Sequence, residues 1–374
     1  MVSDRIALKD AVDAAQQKFA QFLDDADNSR FYASLVLGDS IERDTNKARD
    51  LITKAVDAYD LAGDTPLDVL PEHLSNEQIG QIRQTAYELF INMAESEITL
   101  ANATGAEDLK KPAERALGWL DKATKIGDPS RALYFRRQRY YQLIGDDTKA
   151  EAAKVEANQV QPSTAVDFYL LTEVERVRKN YAAAVDLCQQ ALIINPDDFW
   201  VTNQQGVCHL LNQNAAAAAS VFTGCIGKRP KSALTYCIRG AAFARLGQYD
   251  EALDDFDRAH ELDPELFAIY QNRGFTNYKL GNIDAAIDDT ERASELSSKS
   301  PAPLINLGII ELERDALPKS LGLFTKALQL DARNARAYLL RGQVYIRLSD
   351  PESARKDFEQ SIRFDRTVTN VAEC

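Results

Sequence analysis

Apolar and small residues recur in one fixed phase over most of this 374-residue chain. Glycines stand at Gly206, Gly240, Gly274, Gly308 and Gly342, every 34 residues. Small residues at Ala157, Ala191, Cys225, Ala259, Ala293, Ala327 and Ser361 keep the same step, as do Pro162, Pro196, Pro230 and Pro264. Three markers in one phase signify a repeat array, and seven units fit between Arg131 and Val368. Each unit reads as two short helices; in YQNRGFTNYKLGNIDAAIDDTERA, Tyr270 to Ala293, they join at Gly281-Asn282. At about 100° per residue, positions 4, 7, 8 and 11 of a unit share one helix face, toward the partner helix. Small residues at positions 8, 20 and 27 let helices approach closely, and aromatics at 4, 11 and 24 fill the gaps. Proline at position 32 ends the second helix, lacking an amide hydrogen and colliding with the preceding turn. The last three units carry Ser298, Ala332 and Arg366 there instead. One unit cannot bury its apolar face alone, so neighbours must stack.

Upstream the pattern decays. Residues 29–62 fit the frame with Tyr32, Leu35, Ala48, Ile52 and Ala55 at positions 4, 7, 20, 24 and 27, but lack glycine at 8. GDTPLDVLPEHLSNE, 63–77, predicts a loop, and SNEQ a helix start leading to about Ala103. KKPAERALGWLDKATKIG predicts the next helix, with Ala116, Leu120 and Ala123 at 20, 24 and 27, and residues 4–24 predict an amphipathic helix. The expected organisation is therefore an N-terminal helical region over 1–130, with degenerate units at 29–62 and about 80–128. Seven repeats over 131–368 and a short tail, 369–374, follow. Position 21 is apolar in Val185, Ala219, Leu253, Ile287 and Leu321 but Arg355 in the last unit, so the array is expected to end there.

Counted from Ala233, one unit gives Tyr236, Arg239, Gly240, Phe243, Ala252, Phe256, Ala259 and Pro264 at positions 4, 7, 8, 11, 20, 24, 27 and 32. This resembles the tetratricopeptide repeat, a helix-turn-helix unit, departing only at position 7, where the family has leucine. The resemblance covers residues 131–368. It implies an all-α, right-handed superhelical α-solenoid whose first helices line a concave inner surface. NPDDFWVTNQQGVCHLL and RALYFRRQRYYQLIGD further resemble the C-terminal repeat arrays of large bacterial proteins that carry a serine/threonine kinase domain. That likeness implies a regulatory module of a kinase signalling protein, as the alternative to a free-standing scaffold.

Position 7 is arginine in three of the last six units: Arg239, Arg273 and Arg341. An arginine on a packed face needs an acceptor. Position 23, on the flank of the second helix, is aspartate in the same units: Asp255, Asp289 and Asp357. Where position 7 is Leu171, Gln205 or Leu307, position 23 is Leu187, Val221 or Leu323. The two types appear together or are absent together, which predicts three structural Arg–Asp pairs. Arg137 stands outside the rule, because Ala153 occupies its position 23.

Positions 2, 6, 9 and 13 of each first helix face away from the packed side, onto the inner surface that the resemblance implies. This strip begins basic, with Arg136 and Arg139. It turns apolar through Leu170, then Trp200, Gln204, Val207 and Leu211, then Leu234 and Ile238. It becomes polar again at Asn272, Phe275 and Lys279, then Asn306, and ends basic with Arg336 and Arg347. An apolar strip with Trp200 near its centre suits a peptide or a partner helix, so the residues from Leu170 to Asn306 are the candidate partner contacts. Two other arrangements would bury the strip: a tightly closed superhelix, or residues 4–24 folded into the groove. In the family, an asparagine at position 6, as at Asn272 and Asn306, often bonds a peptide backbone or its terminal carboxylate. The carboxylate clamp is incomplete here, with Cys237 and Ala241 at positions where it needs other residues.

Net charge is −13, with −10 of it in residues 1–130 and −3 in 131–374. An acidic chain argues against nucleic acid as partner. Five cysteines, without a C-x-x-C pair, read as small buried side chains in a reducing compartment, and three histidines lack metal-ligand spacing. The first residues hold no apolar leader core and no run is long enough for a membrane span, so a cytoplasmic protein is expected. No phosphate-binding glycine loop occurs; Arg49-Asp50-Leu51 lacks the preceding histidine of a kinase catalytic loop, and no Asp-Phe-Gly follows. The expectation is a non-catalytic interaction protein without cofactor.

Overall fold

The structure, a computed structural model, describes residues 2–34, 41–63, 73–106, 108–297 and 300–365. Among them are 18 α-helices and no strand. Two compact units divide the chain, Met1–Asn214 and Ala215–Cys374.

The first unit opens with α1 (Val2–Ser34), α2 (Ile41–Ala58), α3 (Asn76–Ala103) and α4 (Lys110–Ile126). α1 runs ten residues beyond the 4–24 expected from sequence. Nothing between Asp24 and Ser34 breaks a helix. Phe22, Ala26 and Ser29, at i, i+4 and i+7, are all buried, so the packed stripe continues past the expected end. α3 begins where SNEQ places it. Ser75 accepts from the Gln78 amide, and the Gln78 side chain accepts from the Ser75 amide, which closes a capping box. Of the loop expected over 63–77, residues 64–72 lie outside the described residues, as does the 369–374 tail. Helices α5 (Arg131–Ile144), α6 (Asp147–Gln159), α7 (Ala165–Val177), α8 (Tyr181–Ile194) and α9 (Phe199–Leu211) complete this unit. Its core joins Phe22, Ile52, Phe90, Leu120, Tyr140 and Leu171.

The second unit holds α10 (Ala215–Lys228), α11 (Ala233–Arg245), α12 (Tyr249–Leu262), α13 (Phe267–Leu280) and α14 (Ile283–Leu296). α15 (Ala302–Glu313), α16 (Leu317–Leu330), α17 (Ala335–Arg347) and α18 (Pro351–Phe364) follow. Phe256, Phe267 and Phe324 are fully enclosed there.

The 34-residue period has a structural counterpart at three places. Ser130, Thr164, Asp198, Ser232 and Asn334 each accept a backbone amide at the start of a first helix, satisfying a donor that has no partner within the helix. Position 15, which turns each first helix into the second, has a positive φ in all seven repeats: Gly145, Lys179, Gln213, Gly247, Gly281, Asp315 and Ser349. Glycine at position 8 lies against the residue at position 24. A methyl group built on Gly308 would come 2.5 Å from the Phe324 ring, and one on Gly342 2.5 Å from Phe358. The helices cross where a side chain is missing.

Candidate functional site

The position-7 arginines each hold two neighbours. Arg239 forks onto Asp255 at 2.8 and 2.7 Å, and Arg341 onto Asp357 at 2.7 and 2.8 Å. Arg273 donates to Asp289 through Nε and Nη2, the latter at 2.7 Å, and Asn277 adds a bond to the same carboxylate at 3.1 Å. The aspartates are buried and the arginines about one-fifth exposed, with side-chain exposures of 18–19%. Hydrogen bonding by Asp255 and Asp357 raises the pKa of Arg239 and Arg341, with burial opposing it. At Arg273 burial is the larger influence and lowers the pKa, yet Asp289 and Asp257 together outweigh it. Each arginine also reaches back sixteen residues: Arg239 to Thr223, Arg273 to Asp257 and Arg341 to Thr325, through Nη1 in each case. The arginine thus ties its own second helix to that of the preceding repeat. The sequence signal for this second contact is an acceptor at position 25 of the preceding unit.

The candidate partner contacts separate into two groups. Leu170, Trp200, Gln204, Val207, Leu234 and Ile238 are buried, and Leu211 is half-buried. At Trp200 the cause is the N-terminal helix: the indole N–H bonds to Asp27 of α1. Residues of α1 and α3 share a depression with Tyr169 and Trp200. Gln204 is bonded to Glu173. Trp200 and Gln204 therefore serve the packing of the first unit instead of facing a partner. In the second unit Phe275 is 47% exposed and Lys279 is exposed, its Nζ 5.4 Å from the Phe275 ring centroid. Asn272 and Asn306 are half-buried. The Asn272 amide is turned back on its own helix, donating to Ala268 O at 2.8 Å.

Beside Gln204 and Val207 the first unit holds a partly open cavity of about 520 Å³, lined by residues of α1, α2, α3, α5, α7, α8 and α9. A second cavity of about 240 Å³ shares Glu95, Arg136, Arg139 and Glu173 with it. Glu95 of α3 accepts from Arg139 at 2.7 Å and from the Tyr140 hydroxyl at 2.9 Å. Burial works against its charge, but Arg139 and Arg136 outweigh it and hold the carboxyl below its ordinary range. Burial, with the Glu95 charge added, pushes the Tyr140 hydroxyl well up; burial and Glu88 do the same to Tyr169. Glu173 binds Arg176 at 2.5 Å, and Arg30 forks onto Glu88 at 2.7 and 2.6 Å. Arg136 and Arg139 are the basic start of the inner strip in sequence. Glu95 and Arg30 carry no periodic signal and come to this wall only through tertiary packing. Among the described residues no group of three or more His, Cys, Asp or Glu side chains could hold a metal, and no helix is long and apolar enough to cross a membrane. Cys188, Cys208, Cys225 and Cys237 are free and buried; burial raises the Cys237 thiol to about 12.

Paired helices at a constant period, crossing at small residues, define an α-helical repeat fold. Residues 233–266 and 335–367 each match the Tetratricopeptide repeat family, so the chain carries tetratricopeptide repeats there. It is 26% identical over 164 residues to small glutamine-rich tetratricopeptide repeat-containing protein 2 of Saccharomyces cerevisiae, a match covering 44% of this chain and 35% of that protein. The chain thus spans about a third of that relative's length. A tetratricopeptide repeat protein from Parabacteroides merdae superposes with a TM-score of 0.52 at 16% identity, over 63% of this chain and 93% of that one. The APC/C hetero-tetramer Cut9-Hcn1 gives 0.52 at 14% identity, over 86% and 70%. These likenesses are of fold.

Proposed function

We propose that the chain is a non-catalytic scaffold that docks a peptide or partner helix on the face of the second unit carrying Asn272, Phe275, Lys279 and Asn306. The observation that carries this reading is Phe275, a phenylalanine 47% exposed on a first helix of the array. An exposed aromatic flanked by a cation suits an anchor for an apolar side chain with a carboxylate nearby. In the first unit's strip Leu170 and Trp200 are buried by the chain itself and Val207 and Leu211 line a cavity, which leaves docking of a peptide or helix to the second unit. The likeness of Asn195–Leu211 to kinase-associated arrays supports a regulatory form of the same docking.

Affinity capture with the full chain tests this. Phe275→Asp and Lys279→Glu should each lose partners that the wild type retains. Ile193→Asp, which alters an exposed residue of the second helix α8, should keep them. Retention of every partner by Phe275→Asp would remove this face from the reading.

A further inference from the structure

We infer that the cavity of the first unit is a binding site for a small organic anion, a molecule with an apolar body and a carboxylate or phosphate group, held at Arg136. Four arginines line it, Arg30, Arg136, Arg139 and Arg176, against three acids, Asp44, Glu95 and Glu173. Three arginines each hold an acid: Arg30 has Glu88, Arg139 has Glu95 and Arg176 has Glu173. Asp44 is met by Arg43. Arg136 has no acid to itself, sharing Glu95 with Arg139, and it is only 4% exposed. Its Nη1 donates to the backbone carbonyls of Ala132 and Leu170 at 3.3 Å, and its Nε has no hydrogen-bond partner. Glu95 lies 3.7 Å from that Nε, beyond hydrogen-bond reach, and already serves Arg139 and Tyr140.

A buried guanidinium that shares its one carboxylate favours a further anion, and a guanidinium suits a planar carboxylate or a phosphate. The cavity, at about 520 Å³, falls within the range of small-molecule sites, roughly 300–1,000 Å³. Ile52, Val177, Val207 and Leu211 supply apolar wall for the rest of the ligand. The excess positive charge here runs against a net charge of −13 for the whole chain, so it is local. This site is separate from the docking face of Phe275, and either can fail without the other.

Thermal denaturation and calorimetric titration of the full chain test the inference with benzoate and phenyl phosphate. Benzyl alcohol serves as the neutral counterpart, and sodium chloride is matched for ionic strength. At least one anion should raise Tm by several degrees in a concentration-dependent way, while the alcohol and the salt do not. A response to benzoate alone identifies carboxylate recognition, and one to phenyl phosphate alone identifies phosphate. Arg136→Gln should weaken the responding anion at least tenfold. Arg139→Gln, at the more exposed neighbour, should weaken it as well, and decides the matter should Arg136→Gln not fold. An absent shift in the wild type, an equal shift with sodium chloride, or wild-type affinity in the folded variants would overturn it.

Discussion

Arg137 donates to Asp121, sixteen residues behind it, at 2.6 Å. It lacks the forward aspartate that Arg239, Arg273 and Arg341 possess, yet it makes the same backward contact as they do. A position-7 arginine is therefore an inter-repeat tie first, and the aspartate at position 23 completes it. In the Arg273 clamp the two acceptors differ in burial: Asp289 is 8% exposed and Asp257 65%. Asp289→Ala should cost about 2 kcal/mol, because it strands a mostly buried guanidinium and the Asn277 amide. Asp257→Ala should cost under about 1 kcal/mol. Replacing both Arg273 and Asp289 by leucine should recover most of the loss. Urea denaturation of the four proteins measures this, and a double variant as unstable as Asp289→Ala would refute the pairing.

Gly308 and Gly274 occupy the same position of their repeats but meet different neighbours. A β-carbon on Gly308 lands 2.5 Å from the fully buried Phe324 ring, whereas on Gly274 it meets the Thr290 hydroxyl at 3.0 Å. Gly308→Ala should therefore destabilise by about 1–3 kcal/mol through overpacking. Gly274→Ala should be nearly neutral, since the smaller threonine can shift and alanine gains about 1 kcal/mol of helix propensity. Denaturation midpoints in the opposite order would show that the crossing distance is not set by position 24.

These two cases mark what the sequence reveals. Gly308 and Phe324 recur in phase because each repeat must solve the same crossing, so the helix pairs and their contacts are legible from the period alone. The backward contact of Arg273 is hidden because its acceptor varies between threonine and aspartate. The covering of Trp200 by Asp27 is invisible to periodicity, being a contact between residues 173 apart and unique to one repeat. The same holds for the cavity: Arg136 and Arg139 follow from their helix positions, whereas Glu95 and Arg30 reach them only through the fold of the first unit.

Lys179 has a φ of 62°, in the left-handed region that glycine occupies at the equivalent positions Gly145, Gly247 and Gly281. Its side chain is exposed, so what it costs there is backbone strain. Lys179→Gly should raise stability by up to about 1 kcal/mol, the relief of strain exceeding glycine's added entropy in the unfolded chain. Gly281→Ala should lower it, having a φ of 82°. Thermal melts of the two variants give the comparison; equal and negative changes would show that the turn does not select for glycine.

Glu97 is 4% exposed and accepts from Arg49 and Arg115, each at 2.8 Å. Burial works to raise its pKa, but the bonds from these arginines prevail and hold it below the ordinary value of 4.5. A carboxyl depressed by folding contributes stability that is present above its unfolded pKa and lost as pH falls through the folded one. Acidification from pH 7 should therefore leave this contribution intact until about pH 4.5 and remove it progressively below. Glu97→Gln should be less stable than wild type at neutral pH, since two arginines lose their shared anion. The Tm gap between the two proteins should narrow as pH falls below about 4.5, as the wild-type carboxyl gains its proton. A gap that stays constant across that range would mean that the Glu97 charge adds nothing to the stability of the first unit.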